Sequence, residues 1–169
     1  GMHIAPPGGE YATPPALAAC FTDALLVPGN DGFGLSDAKG AAIWFDPGLA
    51  SFDPKTMALK ENGSVVAVGS QAVLLRRHKP ETVVAGGIFC GCTYRRNYYH
   101  VLIEVLPRVL LAADLAPKGT PILADDGMPA QHYQALRLLL PHNPVRRLAR
   151  MRSYRVGKLY AATMPNIVQ

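Results

Sequence analysis

Between Arg95 and Asp114, apolar residues crowd nearly every direction of a helical projection and leave one polar stripe. An α-helix advances about 100° per residue, so positions three and four apart share a face. Asn97, His100, Glu104 and Arg108 follow that spacing, while Val101, Leu102, Ile103, Val105, Leu106, Val109, Leu110 and Leu111 fill the other directions. A helix apolar almost all round is usually buried. The stripe is then expected to carry an imidazole, a carboxylate and a guanidinium into the interior or into a cleft. Buried without partners such groups cost too much, so they must pair with each other, with water or with a ligand. Pro107 removes an amide donor within the helix and frees the carbonyl of Ile103, which predicts a kink.

Upstream of this helix the pattern is that of short strands. Ala24 to Val27 stops at Pro28-Gly29-Asn30, and Ala41 to Phe45 stops at Asp46-Pro47-Gly48, which is hairpin punctuation. Ser64 to Val68 and Ala72 to Leu75 read as a second strand pair after the Asn62-Gly63 turn signal, and Met57 to Glu61 stays ambiguous. Arg76-Arg77-His78-Lys79-Pro80 reads as an exposed basic turn. Thr82 to Phe89 is an apolar run containing Gly86-Gly87, hence a strand with a bulge or a close backbone approach.

Downstream, strand and helix alternate. Pro117-Lys118-Gly119 ends the helix and Pro121 to Ala124 is a short buried strand. Asp125-Asp126-Gly127-Met128-Pro129 reads as a helix start with an Asp cap, leading into a helix with Ala135, Leu136, Leu138, Leu139 and Leu140 on its apolar face. Val145 to Leu148 and Tyr154 to Ala162 are strands. Helix, strand, helix, strand with short links predicts parallel crossover units and an α/β sheet, with the first eighty residues as β-rich additions. Residues 1–19, rich in Pro, Gly and Ala, are expected to be a flexible arm, and residues 20–169 a single α/β domain.

Composition supports a globular chain: 49% hydrophobic, 17% charged, and long enough for one core. Three cysteines argue against a disulfide framework, and no apolar run is long enough to span a bilayer, so a cytoplasmic location is expected. The net charge of +5 is unevenly placed: residues 127–169 hold seven Lys/Arg and no acid, whereas all twelve Asp/Glu precede them. A basic final third invites an anionic partner, whether a phosphate-bearing ligand, an acidic domain or a membrane surface, although a solvated basic face explains it equally well. No nucleic-acid-binding motif accompanies the charge, so no nucleic acid is expected as a partner.

The run Asn97-Tyr98-Tyr99-His100, followed by Glu104 and Leu106-Pro107-Arg108, resembles the signature of glycosyltransferase family 61. The bacterial branch of that family is associated with capsular polysaccharide biosynthesis. The likeness extends over about residues 20 to 163, through Gly86-Gly87 to Gly91, the strand Pro121–Ala124, Pro129 and Gln131, and Tyr154-Arg155-Val156 with Leu159-Tyr160. Val101 stands where a tryptophan commonly follows the motif histidine, and the family's later motifs, including a His-Gly-Ala segment near the donor, have no match.

The resemblance implies a Rossmann-like half of a GT-B-type glycosyltransferase: the N-terminal, acceptor-side half, with the nucleotide-binding half absent. It implies transfer of a sugar from a nucleotide-sugar donor to a cell-surface polysaccharide or glycan, and a chain that performs no transfer by itself. The alternative is a non-catalytic module that binds a glycan or a protein. The nucleotide sugar is then a co-substrate of the complete enzyme, and no cofactor or metal is expected on this half. A glycan acceptor, the missing domain or a second copy, and peripheral contact with the inner membrane face complete the expected partners.

Within that frame an acceptor hydroxyl needs a base. His100 is the first candidate, with Glu104 one turn on to orient it or to act as the base itself. Arg108 is expected either to screen the donor diphosphate or to hold Glu104 as an i,i+4 ion pair. Asn97, Tyr98 and Tyr99 are the remaining substrate-binding candidates, the tyrosines by stacking on a sugar or by packing in the core. A purely structural Glu104–Arg108 pair, with His100 bonded to backbone, is the competing reading of the same stripe. Cys90-Gly91-Cys92 is spaced too closely for a zinc hook, the carboxylates of Asp125-Asp126 are explained by helix capping, and Gly86-Gly87 lacks the spacing of a phosphate loop.

Overall fold

A computed structural model describes residues 16–29, 32–36, 42–43, 65–68, 73–75, 81–91, 96–150 and 152–163. Seven strands join one mixed sheet: β1 (Ala18–Gly29), β2 (Gly32–Ser36), β3 (Ala42–Ile43), β6 (Glu81–Cys90), β7 (Ile122–Asp125), β8 (Val145–Leu148) and β9 (Ser153–Ala162). The short strands β4 (Val65–Val68) and β5 (Val73–Leu75) pair antiparallel apart from it, as their spacing predicts. Across the large sheet the order is β3-β2-β1-β9-β6-β7-β8. Strands β6 to β9 run parallel and β1, β2 and β3 alternate against them, so the chain is α/β. The residues of the arm before 16, the Asn62-Gly63 turn, the basic turn 76–80 and Cys92 lie outside the described residues.

The central helix, α1, comprises Tyr98–His100, the π-helical turn Val101–Val105 and Leu106–Leu115, end to end. Pro107 accounts for the wide turn. In a regular helix its missing amide would leave the Ile103 carbonyl unbonded and its ring would press on that carbonyl. In the observed turn the Leu106 amide bonds the carbonyl of Val101, one residue further back than an α-helix uses. Sequence patterning predicts burial on all sides, and here the structure corrects it. Val101, Val105, Val109 and Ala112 are buried, but Leu102, Leu110 and Leu115 are exposed, because α1 lies on one sheet face and not through the interior. Each fully buried valine contributes roughly 1.5–3 kcal/mol, enough to hold the helix there without a second wall.

Helix α2 (Ala130–Leu139) lies on the same face: Tyr133 and Leu136 share one core cluster with Val109, Ile88, Ile122 and Tyr160. The predicted Asp cap is a second correction. Pro129 occupies the N-cap position with no side-chain cap, and Asp125 is the last residue of β7. Its Oδ1 accepts from the Gly127 amide at 2.7 Å, turning the chain after the strand. Arg150 Nε lies 3.3 Å from the same carboxylate.

The opposite face is closed by the sheet itself. Ala24, Leu26, Val84, Tyr154, Val156 and Leu159 form a second cluster with Leu123 of β7 and Leu148 of β8. Facing residues in β1, β6 and β9 each change phase once, between Phe21 and Ala24, Val84 and Phe89, and Val156 and Leu159. The changes fall on a line across the three strands, at Asp23 (φ +54°), Ala85 and Gly157. A Cβ on Gly157 would stand 2.7 Å from the Ala85 carbonyl oxygen, so only glycine fits there. The link between Leu148 and Ser153 spans at most about 18 Å, yet it joins β8 to a strand on the far side of β6. The Tyr154 hydroxyl fastens the link by accepting from the Ala149 amide at 2.8 Å.

Candidate active site

The start of α1 follows the carboxyl end of β6, and the start of α2 follows the carboxyl end of β7. In open α/β sheets that edge is where ligands bind. Asn97 caps α1: its Oδ1 accepts from the Tyr99 amide at 3.0 Å and its carbonyl from the Val101 amide at 3.1 Å. Its side chain is thus engaged in starting the helix, at the exposed end of the stripe.

One turn on, His100 Nδ1 and Glu104 Oε1 lie 2.6 Å apart, with side chains 26% and 17% exposed. Both are partly exposed and reachable from solvent. Around them Tyr98 and Tyr99 are each 59% exposed. The Tyr99 ring meets the His100 imidazole edge-on at 5.8 Å, and Tyr98 stacks on His132 at 5.9 Å with the planes 26° apart. The alternative of tyrosines packed into the core is therefore not what the structure holds.

Arg108 lies below the pair and is buried. Its Nε donates to the main-chain carbonyl of Glu104 at 3.0 Å, and its Nη2 donates to the carbonyl of Gly91 at 3.0 Å. The guanidinium thus fastens the π-helical turn to the end of β6. Of the six predicted residues, His100, Glu104 and Arg108 form one connected group, the exposed tyrosines lie beside it, and Asn97 starts the helix. Among the described residues no group of three side chains able to hold a metal ion occurs; Cys92 lies outside them.

Sequence reasoning missed His132, which is buried beneath Tyr98. Its single signal is spacing, since Leu136 four residues on places it toward the apolar face of α2. It also missed the polar network beside it. The Tyr133 hydroxyl donates to the Asp125 carbonyl at 2.5 Å and accepts from the Met128 amide at 3.2 Å. Burial pushes the Tyr133 phenol above its ordinary value, against the lowering effects of the Met128 bond and of Arg147. The Arg147 guanidinium covers that ring at 4.2 Å. These contacts tie α2 to the end of β7 and to β8.

Comparison with family models, with curated proteins and with solved structures gives no match for this chain. Among the described residues no helix is long and apolar enough to cross a membrane. The functional reading therefore rests on the geometry of His100, Glu104 and their neighbours.

Proposed function

We propose that this chain is the acceptor-side half of a GT-B-type sugar transferase of the family-61 kind. It would hold a glycan hydroxyl against His100 while a nucleotide sugar supplies the glycosyl group. The observation that carries the reading is the 2.6 Å His100–Glu104 contact beside the exposed Tyr98 and Tyr99. A carboxylate that accepts the Nδ1–H of an imidazole leaves Nε2 as its basic nitrogen. Glu104 is then the orienting residue and His100 the base, and the carboxylate also stabilises the imidazolium that forms.

In the step itself the acceptor oxygen attacks the anomeric carbon and its proton passes to His100 Nε2. The bond from that carbon to the diphosphate oxygen breaks, and the nucleoside diphosphate leaves with the electron pair. Tyr98 and Tyr99 offer ring faces to the C–H side of a pyranose. Arg108 acts as a positioning residue, because its Nε and Nη2 donate to the main-chain carbonyls of Glu104 and Gly91. Three consecutive parallel strands joined through α1 and α2 support the Rossmann-like assignment, which by fold alone carries no activity.

The exposed tyrosines also favour a second reading, a glycan-binding module without transfer. A glycan array probed with the full chain tests what the two readings share. Binding is expected to be lost in Tyr98→Ala and Tyr99→Ala and kept in His100→Gln, and a chain that retains no glycan on such an array refutes both. A panel of nucleotide sugars with the retained glycan then separates them. Turnover abolished by His100→Ala assigns the whole reaction to these 169 residues. Turnover that appears only when a nucleotide-binding half is supplied fits the half-enzyme, and its absence in that mixture leaves the binding module.

A further inference from the structure

Strand β8 ends the seven-stranded sheet and, among the described residues, pairs on one side only, with β7. The bonds it makes inward fix which main-chain groups it turns outward. The Ile122 amide donates to the Pro144 carbonyl at 2.9 Å, and the Asp126 amide to the Leu148 carbonyl at 3.2 Å. Residues two apart in a strand point the same way, so the main chain of Arg146 also faces β7, and the amides and carbonyls of Val145 and Arg147 face outward. Such an edge is a template for one more strand.

Two of its residues are arginines, and both are exposed. They lie on opposite sheet faces: Arg147 covers the Tyr133 ring of α2, whereas Arg146 alternates to the side of Leu148, which belongs to the cluster on the other face. Among the described residues Arg146 has no hydrogen-bond or ion-pair partner. Arg150, just beyond the strand, is paired with Asp125. The acid adjoining the strand's end is Asp126, and no acid occurs from residue 127 onward.

A ligand for this edge must offer both donors and acceptors along it and negative charge on both sides of it. A phosphate or a lipid headgroup accepts from amides but has no row of donors for the Val145 and Arg147 carbonyls. A second copy pairing antiparallel across a two-fold sets Arg146 and Arg147 of one chain against the same arginines of the other, and like charges directly opposite are destabilising. An extended peptide with acidic side chains meets both demands. We infer that β8 is a docking edge for an acidic extended segment of a partner protein, which adds to the sheet as a further strand. Its main chain bonds Val145 and Arg147, and its carboxylates stand beside Arg146 and Arg147. The inference is independent of the reaction proposed above, since it uses none of the residues of that site.

A fluorescent peptide alternating glutamate and threonine tests it on the full chain, with a lysine–threonine peptide and a fully N-methylated glutamate–threonine peptide as controls. The first should bind, and less tightly as salt is added. The controls should not, because one has the wrong charge and the other has no amide donors. Bound peptide should slow hydrogen exchange at the Val145 and Arg147 amides and leave the Arg146 amide little changed. Arg146→Glu should weaken binding about tenfold, since it turns a cross-strand attraction into a repulsion. Its melting temperature should match wild type, because the side chain it replaces is exposed. No binding overturns the inference, as does equal binding of either control, wild-type binding by Arg146→Glu, or binding that leaves exchange at Val145 and Arg147 unchanged. Slow exchange at those two amides in the free chain overturns it too, because the edge is then already covered by another part of the chain or by a second copy.

Discussion

Replacing Arg108 with methionine separates two roles that its place in the helix allows. Methionine keeps most of the side-chain length and lies in the same apolar surroundings, so the change removes hydrogen bonds with little loss of volume. Among the described residues these include the bonds to the carbonyls of Gly91 and Glu104, each at 3.0 Å. A hydrogen bond from a charged group contributes about 1.5–3 kcal/mol. Gly91 is buried and its carbonyl stays desolvated in the variant, so that bond costs its full share. The Glu104 carbonyl lies in a part-buried position and water can replace much of what it loses. Relief of the desolvated cation offsets part of the total. The expected net loss is about 2–3 kcal/mol, which for a chain of this size lowers the melting temperature by about 4–12 °C. Urea unfolding followed by circular dichroism measures it, with a lower midpoint and an unchanged slope. If Arg108→Met unfolds within about 0.5 kcal/mol of wild type, the guanidinium is no tie, and screening of a ligand's charge becomes its better explanation.

Three further outcomes are expected. Glu104→Ala should destabilise the chain by about 1–3 kcal/mol through loss of the His100 contact, against a negligible effect of the exposed control Asp126→Ala; equal melting of the two places the pair in open solvent. Gly157→Ala and Gly87→Ala should both lose stability in urea unfolding. The first drives a Cβ to 2.7 Å from a backbone oxygen and the second to 2.3 Å from the buried Leu123 side chain; overpacking of this kind costs about 1–3 kcal/mol or more, and wild-type stability of Gly157→Ala contradicts the coiled-strand account. Burial raises the Tyr133 phenol above 10.0, so its neutral form is favoured by folding. That contribution is fully present below the unfolded value and is lost as pH rises through the folded one. An alkaline titration of the phenol absorbance should show a late-titrating group that disappears in Tyr133→Phe.

The parts of the fold visible in the sequence are those whose pattern is local. Val101, Val105 and Val109 mark the inner face of α1 by spacing alone, and the β-branched runs mark β6 and β9. The Gly86-Gly87 pair marks a close backbone approach, since a Cβ on Gly86 would stand 3.2 Å from the Lys158 carbonyl oxygen. What was not visible depends on distant partners. Ala18 and Ala19 resemble a linker, yet they are the first residues of β1 because Ala162 and Ala161 lie opposite them. Asp125 looks like a helix cap until β8 and Arg150 are in place beside it. The coiling at Asp23 and Gly157 leaves no periodic trace, because it consists of a change of phase. In the candidate site, the His100–Glu104 contact follows from helical spacing, whereas the aim of Arg108 at Gly91 needs the strand end to be positioned first.

The pairing of β1 with β9 has a consequence for the order in which the molecule assembles. Leu17 bonds Thr163 across 146 residues of chain, whereas β6, α1, β7, α2 and β8 each meet their neighbours within a few tens of residues. Contacts of such different span form at different times, because closing a long loop costs entropy before its contacts return any stability. During synthesis the segment from β6 to β8 can fold on emergence, while β1, made first, must wait for β9 before its edge is paired. Pulse-labelled hydrogen exchange during refolding should find the amides of β6 and β7 protected ahead of those of β1, and simultaneous protection would contradict this order. Until β9 arrives, the edge of β1 that does not face β2 is unpaired, and that interval is when the chain is most exposed to aggregation.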